Sequence, residues 1–273
     1  MIWVMLDQSC PGGTHEFADS VNNGPWGKAL TQEFIPYIES HFRAEPKRDS
    51  RFVTGHSSGG WTALWLEVTY PEVFGGSWPI SPDSSDFRSL NGPDIHATPP
   101  QNFYRQPNGK PWPLVREKGK ETMTLKQTAQ EERVLGEYGG QWASFEWVFS
   151  PRGKDGRPMP LFDRETGAVD PDVAKAWRAY DIAEILRQNA DRLRPLLDGR
   201  IHLVVGDQDT FHLNEPAHLL EETAQELKLN LQFTFVPDKD HGNIYDGGLD
   251  ERIAKEMDAI AHPKAKAAAG ATP

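Results

Sequence analysis

Short apolar runs and longer stretches with helical spacing alternate along most of this chain. Runs of strand length, rich in branched and aromatic residues, occur at 2–6, 51–54, 74–80, 201–205 and 231–236. Stretches with apolar residues three or four positions apart occur at 26–42, 61–70, 172–192, 214–227 and 249–260. Strands that alternate with helices in this way are typical of a mostly parallel sheet covered by helices. The pattern therefore predicts an α/β fold.

The first of these helices illustrates the prediction. Its apolar residues Leu30, Phe34 and Ile38 are four positions apart, so they form one stripe that should face the core. Pro36 lies within the stripe, and a proline lacks the N–H that an interior turn of a helix needs. We therefore expect one core-facing helix with a kink near Pro36.

The region from 93 to 193 interrupts the alternation and is predicted to be an insert within one domain of residues 1–262. It contains a polar helical stretch at 122–138, then four large aromatic residues: Trp142, Phe145, Trp147 and Phe149. These aromatics predict a lid that lines an acyl or aryl pocket, or else a simple anchor for the insert, because large aromatic side chains dominate packing anywhere. The Ala-rich segment 263–273 is predicted to be disordered.

Composition excludes several classes of protein. The 273 residues carry a formal net charge of −11, which argues against nucleic acid or an anionic membrane as a partner. A hydrophobic fraction of 37% and a charged fraction of 25% are ordinary for a globular protein, and no apolar run approaches the roughly 18 residues of a membrane span. With one cysteine, Cys10, the chain has no internal disulfide.

The most informative motif is Gly55-His56-Ser57-Ser58-Gly59, which lies between the run at 51–54 and the helix at 61–70. A serine between strand and helix presents its hydroxyl when the backbone turns sharply, and glycines on either side allow close backbone approach. Ser57 is thus the predicted nucleophile, and the backbone N–H of Ser58 the predicted oxyanion donor. The alternative is a glycine-rich turn with two solvent-facing serines.

A serine hydroxyl becomes a nucleophile only when a base accepts its proton and a carboxylate orients that base. Asp209 follows the run at 201–205 and is the predicted acid, because it lies further from the strand than its competitor Asp207. His241 follows the last run and is the predicted base. His212, three residues beyond Asp209, is the second candidate for the base. The order Ser, Asp, His is that of α/β-hydrolases.

Several short motifs resemble the putative-esterase family of α/β-hydrolases, which includes esterase D, feruloyl and acetyl-xylan esterases, siderophore esterases and mycolyltransferases. They are Asp19-Ser20, Asn23-Gly24-Pro25, Ile35-Pro36, Gly55-His56-Ser57-Ser58-Gly59-Gly60, Tyr70-Pro71 and Ser81-Pro82, with a further match over 206–241. The resemblance implies an α/β-hydrolase fold and the triad Ser57, Asp209 and His241. It also implies hydrolysis of small carboxylic esters through an acyl-enzyme, with no metal or organic cofactor.

Two other functions stay open at this point. An acyltransferase would use the same three residues, with an alcohol in place of water. A non-catalytic protein is the second, because family members have strands before the one predicted at 2–6, including one whose following loop supplies a second oxyanion N–H. We expect that the chain is truncated at its N-terminus, and that the loss leaves a gap in the sheet between 2–6 and 51–54.

Overall fold

A computed structural model describes residues 1–135 and 140–263, apart from the side chain of residue 135. Its strands are β1 (Phe52–His56), β2 (Gly76–Ile80), β3 (Pro113–Glu117), β4 (Lys120–Thr124), β5 (His202–Gly206) and β6 (Gln232–Val236), besides two pairs of two-residue strands before residue 26. Its α-helices are α1 (Trp26–Ala29), α2 (Ile35–His41), α3 (Ser58–Thr69), α4 (Leu125–Leu135), α5 (Gln141–Phe149), α6 (Pro171–Trp177), α7 (Ile182–Leu197), α8 (Asn214–Glu226) and α9 (Leu249–Ala261).

The central sheet is parallel and has the order β6-β5-β2-β1. Helix α3 connects β1 to β2, and α8 connects β5 to β6. The predicted strands at 51–54, 74–80, 201–205 and 231–236 are confirmed, and so is the α/β fold. Because all four strands run the same way, their carboxyl ends meet at one edge of the sheet.

The core lies on both faces of this sheet. Leu203 and Val205 of β5 point into a large cluster that includes residues of α3, α7, α8 and the insert. Val204, between them, points into a smaller cluster covered by α9. This alternation follows from the two-residue period of a strand, and its burial on both faces explains why β5 is apolar throughout.

The strand predicted at 2–6 is wrong. Residues 1–8 have no regular secondary structure, and Trp3 and Met5 are 57% and 91% exposed. An apolar run becomes a strand only if a neighbouring strand accepts its hydrogen bonds, and this segment pairs with none of the described strands. Among the described residues β1 is the edge of the sheet, so the expected internal gap is not found.

The first predicted helix is interrupted rather than simply kinked. A π-helical segment, Leu30–Phe34, joins α1 to α2 and ends two residues before Pro36. Because the proline has no N–H, the preceding carbonyls lose their usual partners, and a wider turn accommodates this. The wider turn also rotates the apolar stripe, so that Leu30 is buried while Phe34 is 40% exposed and Ile38 is half-buried.

The single helix predicted at 172–192 is two helices, α6 and α7. The break is at Asp181, whose side chain accepts a hydrogen bond from the Glu184 N–H at 3.2 Å and so caps α7. The other Asp181 oxygen binds the Phe87 N–H at 3.0 Å and the His96 ring at 2.8 Å. These distant partners stop the helix at a point that helical spacing does not mark.

The insert is anchored by its aromatic residues. Trp142, Phe145 and Phe149 are buried on α5, and the Phe149 ring lies 5.0 Å from that of Trp61 on α3. These three rings therefore serve as the anchor, which was the alternative to a pocket lining. The helix predicted at 122–138 is correct from 125 to 135 and wrong at 122–124, which belong to β4; residues 136–138 lie outside the described residues.

The predicted disordered tail also lies outside the described residues from position 264 onward. Within 1–135 and 140–263, none of the helices combines the length and apolar character needed to cross a bilayer.

Candidate active site

Ser57 occupies a sharp turn between β1 and α3. Its backbone has φ 59° and ψ −123°, in the positive-φ region that a non-glycine residue adopts only under constraint. The turn is held by its own backbone, because the Ser57 N–H binds the Ile80 carbonyl and the Trp61 N–H binds the Ser57 carbonyl, each at 3.0 Å. This is the geometry of a nucleophile elbow, with the hydroxyl at the carboxyl edge of the sheet.

The glycines of the motif differ in what they permit. A Cβ on Gly55 would collide with the Gly59 carbonyl, and a Cβ on Gly60 would lie 2.7 Å from the Ile80 carbonyl oxygen. A Cβ on Gly59 would meet no atom within 4 Å. The close approach predicted from the sequence is therefore real, but the positions that require glycine are Gly55 and Gly60 rather than Gly55 and Gly59.

Asp209 and His241 lie in direct contact. Asp209 Oδ2 is 2.8 Å from His241 Nδ1. The other oxygen, Oδ1, accepts hydrogen bonds from the Phe211 N–H at 2.9 Å and the Leu213 N–H at 3.3 Å. Asp209 is fully buried and His241 is 8% exposed, so the carboxylate is shielded from water and its orientation is determined by backbone donors. Such a carboxylate can hold the imidazole with Nε2 facing outward.

The two competing residues are engaged elsewhere. Asp207 Oδ1 accepts a hydrogen bond from the Asp238 N–H at 2.9 Å and thereby links the loops after β5 and β6. His212 Nε2 lies 3.1 Å from Glu121, a residue of the β3-β4 hairpin. The structure therefore brings Asp209, and not Asp207, to His241.

The Ser57 hydroxyl is directed toward a residue that the sequence reasoning missed. Ser57 Oγ lies 3.5 Å from Asp83 Oδ1, and within the described residues it makes no hydrogen bond to His241. Asp83 Oδ2 accepts a 2.7 Å hydrogen bond from the Ser58 hydroxyl. Burial raises the pKa of Asp83, and the Ser58 hydrogen bond opposes that rise. Its position just after β2, at the same sheet edge as the other candidates, was the available signal.

His56 also belongs to the site. Its ring centroid lies 4.3 Å from that of His241, and its Nε2 is buried with no hydrogen-bond partner. Burial and, secondarily, the charge of His241 lower the pKa of His56, which favours the neutral imidazole. Nothing in the motif indicated this contact, because the position before the serine accepts many residue types.

Glu16 lies close to the elbow, in a region where no element was predicted. It is 1% exposed, and its Oε2 is 2.7 Å from the hydroxyl of Thr62 on α3. Burial and, secondarily, the charge of Asp83 raise the pKa of Glu16 well above its usual value. A buried carboxyl without a cation is stable mainly in its neutral form.

Ser58 is the first residue of α3, where a backbone N–H has no partner within the helix. Its N–H and the positive end of the helix are available for an oxyanion beside Ser57.

A helix-flanked parallel sheet, with a serine at a strained strand-to-helix turn and an Asp–His pair after later strands, defines the α/β-hydrolase fold. The chain belongs to the family described as Putative esterase, whose model matches residues 7–252, and is by class a carboxylic ester hydrolase.

Solved structures of serine hydrolases are similar in fold. The fluorophosphonate-binding serine hydrolase FphF of Staphylococcus aureus has a TM-score of 0.51 and 14% identity, over 91% of this chain and 68% of that one. An S-formylglutathione hydrolase from Agrobacterium tumefaciens has a TM-score of 0.47 and 18% identity, over 92% and 64%. This chain thus spans about two thirds of their length. No match was found among curated proteins.

Proposed function

We propose that this protein hydrolyses small carboxylic esters through an acyl-enzyme on Ser57. The observation that carries the proposal is the 2.8 Å contact between Asp209 and His241, two loops apart, at the sheet edge where Ser57 occupies its elbow. An acid–base pair held in this way has one task in such a fold, which is to accept the proton of a nearby hydroxyl.

In the proposed mechanism His241 Nε2 accepts the proton of Ser57 as Oγ attacks the ester carbonyl. Asp209 holds the proton on Nδ1 and stabilises the imidazolium that forms. The Ser58 N–H stabilises the oxyanion. His241 then protonates the leaving alcohol, and a water activated by the same histidine releases the carboxylic acid.

The Ser57 hydroxyl must turn from Asp83 toward His241 for this to happen. Rotation about the Cα–Cβ bond moves Oγ between staggered positions at low cost, because no strong hydrogen bond holds it at 3.5 Å from Asp83. Catalytic hydrogen bonds are often formed only once substrate is present.

The test is covalent labelling with a fluorophosphonate, read by intact mass, together with hydrolysis of p-nitrophenyl acetate. We expect wild-type protein to gain one label and Ser57→Ala to lose both labelling and hydrolysis. Ser58→Ala is the matched control: it removes a neighbouring hydroxyl but keeps the backbone N–H, so labelling should persist. Labelling of Ser57→Ala at the wild-type rate would refute the assignment.

A further inference from the structure

Asp83 is a charged residue beside the nucleophile that ester hydrolysis does not require. Its carboxylate spans both serines of the elbow, 3.5 Å from Ser57 Oγ and 2.7 Å from Ser58 Oγ. Its own N–H donates to the Ser57 carbonyl at 3.2 Å. Backbone and side chain together hold this carboxylate at a constant distance from the reacting centre.

The charge of Asp83 is not neutralised by a cation. Among the described residues no lysine, arginine or histidine forms an ion pair with it, and its remaining polar contact is the Gln141 amide at 3.4 Å. Arg116 donates to the Asp209 carbonyl instead, at 3.0 Å. The other carboxyl groups that interact with Asp83 electrostatically are Glu16 and Asp209. The ground beside Ser57 is therefore negative, apart from any charge on His241.

Asp83 is also positioned to interact with a bound acyl group. Its side chain and that of Ser57 are both half-buried, so the carboxylate borders the space that an acyl group on Ser57 must occupy. At an effective dielectric constant near 20, a unit charge about 6 Å from this carboxylate changes the rate by roughly tenfold to a hundredfold. Charge on the acyl chain should therefore decide which esters react.

We propose that Asp83 determines acyl specificity: the site favours esters whose acyl chain carries a cation and rejects those whose acyl chain carries a carboxylate. This inference rests on the proposed role of Ser57 as the nucleophile. It assigns Asp83 no part in proton transfer.

The test compares p-nitrophenyl hexanoate, its ω-trimethylammonio derivative and the mono-p-nitrophenyl ester of adipic acid, which differ in charge at the end of a similar chain. We expect wild-type kcat/KM to favour the cationic over the anionic ester by at least about tenfold. Asp83→Asn keeps an oxygen for the Ser58 hydroxyl but removes the charge, so this preference should fall by about tenfold. Ratios between variants cancel the intrinsic reactivity of each ester.

Asp191→Asn is the control for net charge, because it makes the same substitution at a side chain of α7 that is 99% exposed. It should leave the preference unchanged. A preference that survives Asp83→Asn within twofold would overturn the inference. If that variant does not fold, the salt dependence of the wild-type preference decides: it should weaken between low salt and about 1 M salt, where screening is nearly complete, and a salt-independent preference overturns the inference. Failure of the proposed function is distinct, since then no ester is hydrolysed and Ser57 is not labelled.

Discussion

Replacing Asp209 with asparagine should nearly abolish turnover while leaving the fold intact. The reason lies in the two sets of contacts that this carboxylate makes. Oδ1 receives the N–H groups of Phe211 and Leu213, so the amide oxygen of an asparagine must take that place. The amide NH₂ then faces His241 Nδ1 in place of Oδ2. A donor at that position forces Nδ1 to accept and places the ring proton on Nε2.

An imidazole with its proton on Nε2 cannot accept the proton of Ser57. An asparagine in the equivalent position of a serine protease lowers turnover by about 10⁴-fold, and the same wrong tautomer is enforced here. That factor corresponds to about 5 kcal/mol of lost transition-state stabilisation. Because the side chain keeps its volume and its backbone hydrogen bonds, the melting temperature should change little.

The assay is kcat for p-nitrophenyl acetate, with the rate of fluorophosphonate labelling as a second readout and thermal unfolding as the check on folding. Asp207→Asn is the control, because Asp207 binds the Asp238 N–H and does not contact His241. It should keep turnover within about tenfold of wild type, since its loss removes one neutral-amide hydrogen bond. Asp209→Asn with kcat within tenfold of wild type, or a larger loss in Asp207→Asn, would refute the reasoning.

Two further predictions concern packing and ionisation. Gly55→Ala should abolish soluble or active protein because its Cβ meets the Gly59 carbonyl, whereas Gly59→Ala meets nothing and should keep near-wild-type activity; equal effects in expression and activity assays would contradict this. Burial raises the pKa of Glu67 to about 8, with Arg48 3.9 Å away. The folded protein then holds a proton that the unfolded chain releases near pH 4.5, so unfolding free energy should fall as pH rises from about 5 to 8, by up to about 4 kcal/mol. Glu67→Gln should flatten that slope in chemical denaturation, and an unchanged slope would exclude Glu67 as its source.

Local pattern was sufficient for much of the fold and for part of the site. Buried parallel strands are apolar throughout, so β2, β5 and β6 could be located from composition alone. The elbow could be recognised because glycine, serine and a following helix occur within a few consecutive residues. The contact between Asp209 and His241 could be anticipated because parallel strands bring their following loops to one edge of the sheet.

Tertiary structure decided what depends on distant partners. The apolar segment at 2–6 is not a strand because no described strand pairs with it, and Asp181 divides a helix because its carboxylate binds Phe87 and His96. Asp83 and His56 acquire their places only when β2 and the last loop meet the elbow. A sequence pattern records the environment of a residue along its own element, whereas hydrogen bonds and charge interactions between elements depend on distances in space.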